Sequence, residues 1–159
     1  MENKPQSILY QRNLHIIFSI TLIAVMGVTS ITPVFPLVKD VFDINARQVG
    51  LLITMFTLPG VLLSPVLGVL ADRYSRKKIL VPSLFLFAIA GTLCGFTRDF
   101  GWLVFFRFLQ GTGAAAIGDL NLTLIGDIYS GKERDTAMGY NASVLSVGTA
   151  LYPAIGGGL

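Results

Sequence analysis

Arg107 and Asp119 have the chemistry most at odds with their setting: both are formal charges inside the otherwise uncharged run Gly101 to Gly126. A charge at the centre of a membrane helix costs about 2.5–3.5 kcal/mol on insertion scales, so neither faces hydrocarbon. At helical spacing Arg107, Gln110 and Gly111 share one face. Asp119 follows 12 residues after Arg107. That separation is ~18 Å along a helix and about 120° around it, so the two cannot pair on one helix. Two placements suit Asp119: a protonatable position at an internal cavity, or a wetted carboxylate nearer one membrane face. A second charged group, Asp72, Arg73, Arg76, Lys77 and Lys78, interrupts the apolar sequence. Asp72 falls at the C-terminal end of a predicted helix, where the backbone dipole is already negative. An exposed carboxylate there is disfavoured by about 0.3–1 kcal/mol. It is either solvated and offset by Arg73 and Arg76, or placed to contact another element.

Other reactive types are sparse. Cys94 is the only cysteine and His15 the only histidine, so a disulfide framework, a thiolate metal site and a serine triad are excluded. No nucleophile, base and metal ligands cluster at one membrane face, and no enzyme is expected. Gly111-Thr-Gly113-Ala-Ala-Ala116 mimics a dinucleotide fingerprint, with Glu133 about 20 residues on, but that motif needs a preceding strand. Here the small residues serve helix approach instead. The sequons at Asn121 and Asn141 fall within predicted helices rather than exterior loops.

The elements that carry these residues are long apolar helices. Of 159 residues, 53% are hydrophobic and 13% charged, against about 25% charged in soluble domains. Five spans can be drawn, at 14–38, 49–71, 79–97, 101–126 and 136–159. A helix of about 20 residues crosses a hydrocarbon core of ~30 Å. The 23 uncharged residues Val49 to Ala71 and the 19 of Ile79 to Thr97 leave only a few for a turn, which predicts antiparallel neighbours. The first span, 25 residues from Leu14, exceeds the apolar core of about 7–15 residues in a signal peptide, so it is expected to be retained. The last ends in Gly158-Leu159 with no polar segment after it, the expected mark of an incomplete chain.

The net charge of +3 reads as topology, not nucleic-acid binding. With the N-terminus cytoplasmic, that side holds Lys4, Arg12, Arg73, Arg76, Lys77, Lys78, Lys132 and Arg134, and the other holds Lys39, Arg47 and Arg98. Eight against three is a positive-inside bias.

The hinge Gly68-Val-Leu70-Ala-Asp72-Arg73-Tyr-Ser75-Arg76-Lys77-Lys-Ile-Leu80 resembles the signature between helices two and three of the major facilitator superfamily, G-x-L-a-D-r-x-G-r-k-x-x-l. Ser75 replaces the second glycine, a change expected to strain or reshape the corner slightly. The resemblance implies an all-α integral membrane fold, with about five helices of an N-terminal six-helix half present. It implies that Asp72 docks on a helix of the second half, and that Asp127 faces Arg76 across the gate. Arg107-Phe-Leu-Gln110-Gly111-Thr-Gly113-Ala-Ala resembles the family's fourth-helix pattern, in which the arginine faces the central cavity and takes part in proton or substrate coupling. A purely structural buried arginine is the other reading of Arg107.

The fifth span, with Gly139, Gly148, Pro153, Gly156 and Gly157, resembles the drug–proton antiporter motif G-x8-G-x3-G-P-x2-G-G, with Tyr152 where the family has glycine. What this implies is a secondary transporter of the cell membrane that exchanges a proton for a drug-like amphipathic molecule by alternating access. Its energy source would be the proton gradient, with no bound cofactor. Its partners would be the bilayer, a small-molecule substrate and the missing second half. The rivals are transport of a sugar or organic acid and a non-transporting accessory membrane protein.

Overall fold

The computed structural model describes residues 12–29 and 32–157; the side chain of Asp72 lies outside what is described, as do Lys4 and the last two residues of the fifth span. Among the described residues six α-helices form: α1 (Arg12–Thr29), α2 (Phe35–Phe42), α3 (Ala46–Arg73), α4 (Arg76–Phe96), α5 (Phe100–Ile128) and α6 (Gly131–Gly157). A single 3₁₀ turn, Thr32–Val34, precedes α2, and no strand occurs among the described residues.

The first expected span, 14–38, is therefore not one helix. Pro33 lies in the 3₁₀ turn and has no N–H to continue an α-helical ladder. Pro36 falls in the first turn of α2, where a missing donor costs nothing. The α2 helix closes on Asp43 in the left-handed region, at φ 50°. Asn45 then opens α3 through a reciprocal cap: its side chain accepts from the Gln48 N–H at 3.0 Å, and its own N–H donates to Gln48 Oε1 at 2.9 Å.

Among the described residues four segments are long and apolar enough to cross a membrane: Arg12–Phe42, Ala46–Ala71, Arg76–Phe96 and Phe100–Ile128. Their outward faces carry Val61, Leu62, Phe85 and Ile89, all more than half exposed, as surfaces meant for lipid are. The 27-residue α6 starts five residues before the expected fifth span and is too polar to join that set.

Two expectations about the hinge need correcting. Ser75 has φ −56°, an ordinary value for any residue, so the serine brings no strain to the corner. The helices it joins are not packed neighbours. Contact between α3 and α4 is slight, whereas α5 lies extensively against both. The reason is that α5 carries small residues on the two faces that meet them. A side chain at Gly111 would strike the Phe56 backbone of α3, and one at Gly113 would come within 2.7 Å of the Ser83 carbonyl of α4. Close backbone approach of this kind is how helices associate in lipid, where the surroundings are as apolar as leucine. A central cluster with Phe56, Phe87, Ala116, Ile117 and Leu120 fills the junction. On the other flank α1 packs against α5 and α6, closed at the hinge end by Leu14, Ile17, Ile125, Tyr129 and Ala137.

Candidate functional site

At the hinge end, α4 begins with Arg76 and α5 is about to end at Asp127. Arg76 Nη2 donates to Asp127 Oδ1 at 2.9 Å, and Arg76 Nε pairs with Asp127 Oδ2, a two-pronged bridge. Each charge opposes the dipole of its own helix, a cation at an N-terminus and a carboxylate at a C-terminus. Pairing relieves both. Arg76 Nη1 is buried without a partner among the described residues. Arg73 and Lys77 are exposed, and a side chain at Gly68 would meet open space among the described residues. Nearby, burial first and the Glu133 carboxylate second raise the Tyr129 phenol above its usual range.

Towards the end of the bundle away from the hinge, Arg107 is 4% exposed. Its Nη1 donates to the Gly27 carbonyl and to Gln110 Oε1, both at 3.1 Å, and its guanidinium carbon lies 5.6 Å from the centre of the Phe56 ring. Gly27 sits in the last turn of α1, where the carbonyls form the negative end of the dipole. That end, an amide oxygen and an aromatic face hold the cation. Arg107 and Gln110 line a groove of about 970 Å³ between α1, α2, α4 and α5. They do not line the separate recess of about 420 Å³ framed by α1, α3, α5 and α6. Gly111 does, beside Ala24, Thr29, Phe56, Thr57 and Thr149. The three fourth-helix residues are thus divided between surfaces, and the arginine is held by the Gly27 carbonyl on α1 and by Gln110 on its own helix.

Asp119 lines neither surface; its Oδ2 is buried without a hydrogen-bond partner among the described residues. On α6, Gly148 lies against Leu22 and Val25 of α1, with the Tyr152 ring folded back over it. Gly139 faces open space, Pro153 sits within the helix, and Gly156 and Gly157 finish it. Sequence reasoning missed Thr21, and treated Asn121 and Asn141 only as sequons; all three are buried and bonded to one another. Amides within apolar spans were the available signal.

The model of the Major Facilitator Superfamily matches residues 17–159. The chain belongs to that superfamily. Among major facilitator proteins it is 31% identical over 142 residues to multidrug resistance protein 2 of Bacillus subtilis, covering 89% of this chain and 36% of the relative. It is 27% identical over 152 residues to the bacillibactin exporter of the same organism, covering 91% of this chain and 38% of that protein. A crystal structure of a bacterial homolog of the human lysosomal transporter Spinster, inward-facing and unoccupied, superposes with a TM-score of 0.87 at 26% identity. It covers 99% of this chain and 33% of the other. The chain spans about a third of the length of the relatives it matches. The fold is that of a multi-pass, all-α major facilitator protein.

Proposed function

We propose that this chain is most of the N-terminal half of a secondary transporter that moves drug-like or amphipathic small molecules out of the cell in exchange for protons. The recess between α1, α3, α5 and α6 carries this reading. It is lined by apolar side chains and three threonines, with no charged residue, which suits a solute with a large apolar body and scattered polar groups. A sugar would call for a denser set of hydrogen-bonding side chains, and an organic acid for a cation on the recess. The relatives named as multidrug resistance and exporter proteins support the same direction.

Within this reading the hinge works as a gate at the cytoplasmic face, with the N-terminus on that side of the cell membrane. Gly68, Asp72, Arg73, Arg76, Lys77 and Asp127 form it, and Asp72 meets the second half. Arg107, Gln110 and Gly111 act in coupling, and Asp119 carries the proton. Gly139, Pro153, Gly156 and Gly157 of α6 provide a kinked face for the second half, as inverted-repeat transporters require at the interface around their central site, while Gly148 packs on α1. No cofactor enters the cycle; the proton gradient drives it. The reading is tested by following efflux of a lipophilic cationic dye from cells that express the intact transporter. Collapse of the proton gradient is expected to stop efflux. Efflux indifferent to the gradient overturns the exchange.

A further inference from the structure

Three buried polar side chains from three helices meet near the hinge end of the bundle. Thr21 of α1, Asn121 of α5 and Asn141 of α6 are 5%, 4% and 7% exposed. Asn121 Nδ2 donates to Thr21 Oγ1 at 2.6 Å, and Thr21 Oγ1 lies 2.5 Å from Asn141 Oδ1 and 3.1 Å from the Ile17 carbonyl. A hydroxyl offers one proton and two lone pairs, so Thr21 can bridge both amides. Asn121 Oδ1 keeps a spare acceptor site among the described residues.

The packing around this cluster shows what it adds. The α6 helix rests along α1 and only lightly on α5. Its apolar contacts with α1 are Ala137 and Met138 in a cluster with Leu14, Ile17 and Phe18, and Gly148 beside Leu22 and Val25. In hydrocarbon such contacts resist sliding weakly, because no hydrophobic effect holds the helices together. A hydrogen bond has a direction and a length, so it fixes register where apolar packing does not. One residue of slip would carry Thr149, which lines the recess, about 1.5 Å along the axis.

We propose that Thr21, Asn121 and Asn141 form a positioning node that sets the depth and rotation of α6 against α1 and α5, so that the three helices move as one unit during transport. The node's role in transport rests on the exchange reading above; its role in holding α6 does not. None of the three side chains titrates, so the node acts on the rate without altering proton dependence.

The experiment uses the intact transporter with Thr21→Val, which keeps the shape and removes the hydroxyl, Thr21→Ser, which restores it, and Asn141→Ala, which removes one arm. Amide hydrogen exchange is read in residues 131–157 and 46–96, and dye transport is read across a pH series. Thr21→Val and Asn141→Ala are expected to speed exchange in 131–157 by about tenfold, with 46–96 unchanged. They are expected to lower the maximal transport rate at an unaltered pH profile, while Thr21→Ser behaves as the wild type. If Thr21→Val does not accumulate, Asn141→Ala against Thr21→Ser makes the same comparison. Unchanged exchange in 131–157, equal acceleration in both regions, or equal loss in the serine and valine variants overturns the proposal. A wild type that moves no dye defeats the transport reading alone, and the exchange data still decide the node.

Discussion

At the scale of residues, the Arg76–Asp127 bridge is partly exposed, and pairs of that kind contribute about 0.2–1 kcal/mol to stability. The dipoles sharpen what a variant should do. Removing one partner, as in Asp127→Asn, leaves Arg76 alone at the start of α4. The exchange Arg76→Asp with Asp127→Arg puts each charge at the helix end that favours it, a gain of about 0.3–1 kcal/mol per site. The exchanged protein is expected to regain the melting temperature lost in the single variant while transporting poorly, because the charges at the proposed gate are reversed. A melting temperature below that of the single variant contradicts the dipole account. For Asp119, replacement by Asn removes the titratable group and keeps the shape. Gradient-driven efflux is expected to fall to its gradient-free level, and wild-type efflux by this variant sinks Asp119 as the proton carrier.

Part of this scale was legible. That Asp127 faces Arg76 was implied by the family resemblance, which places a carboxylate opposite the hinge arginine, and the two side chains do meet. The acceptors of Arg107 could not be read, since Gly27 contributes only a carbonyl oxygen, which every residue possesses. The Thr21 cluster escaped for a related reason: its members are 100 and 120 positions apart and ordinary in type.

Among the elements, the long helices and the α3–α4 turn followed from the apolar runs and the charges between them, but the count did not, since six helices form among the described residues where five spans were drawn. Lateral order did not follow. A short turn implied that α3 and α4 lie side by side, yet α5 packs against both, because Gly111 and Gly113 let it approach more closely than a turn can enforce. The division of the first span at Pro33 was visible as a proline but not as a break, since membrane helices tolerate proline elsewhere in this chain, at Pro59, Pro65 and Pro82. The close approach makes a sharp prediction. Gly111→Leu would drive a side chain into the Phe56 backbone, where overpacking costs typically about 1–3 kcal/mol. The intact protein should melt at a clearly lower temperature, whereas Gly68→Leu, facing open space within this chain, should leave helix packing here unaffected. Equal melting of Gly111→Leu and the wild type would contradict the packing described.

For the molecule as a whole, the parts fit a transporter wall. One side holds a recess of apolar groups and threonine hydroxyls, and the hinge end holds an ion pair with exposed basic residues around it. The outer faces are apolar, and the polar α6 carries glycines that face open space. In the proposed reading, two such halves enclose a substrate whose chemistry suits the recess. The most direct measurement reconstitutes the intact protein in liposomes with a pH indicator inside and imposes a gradient of a lipophilic cationic substrate at equal pH on both sides. The account predicts that substrate flow drives protons the opposite way, and that Asp119→Asn abolishes this proton movement. Substrate flow with no proton movement, or protons travelling with the substrate, would contradict it.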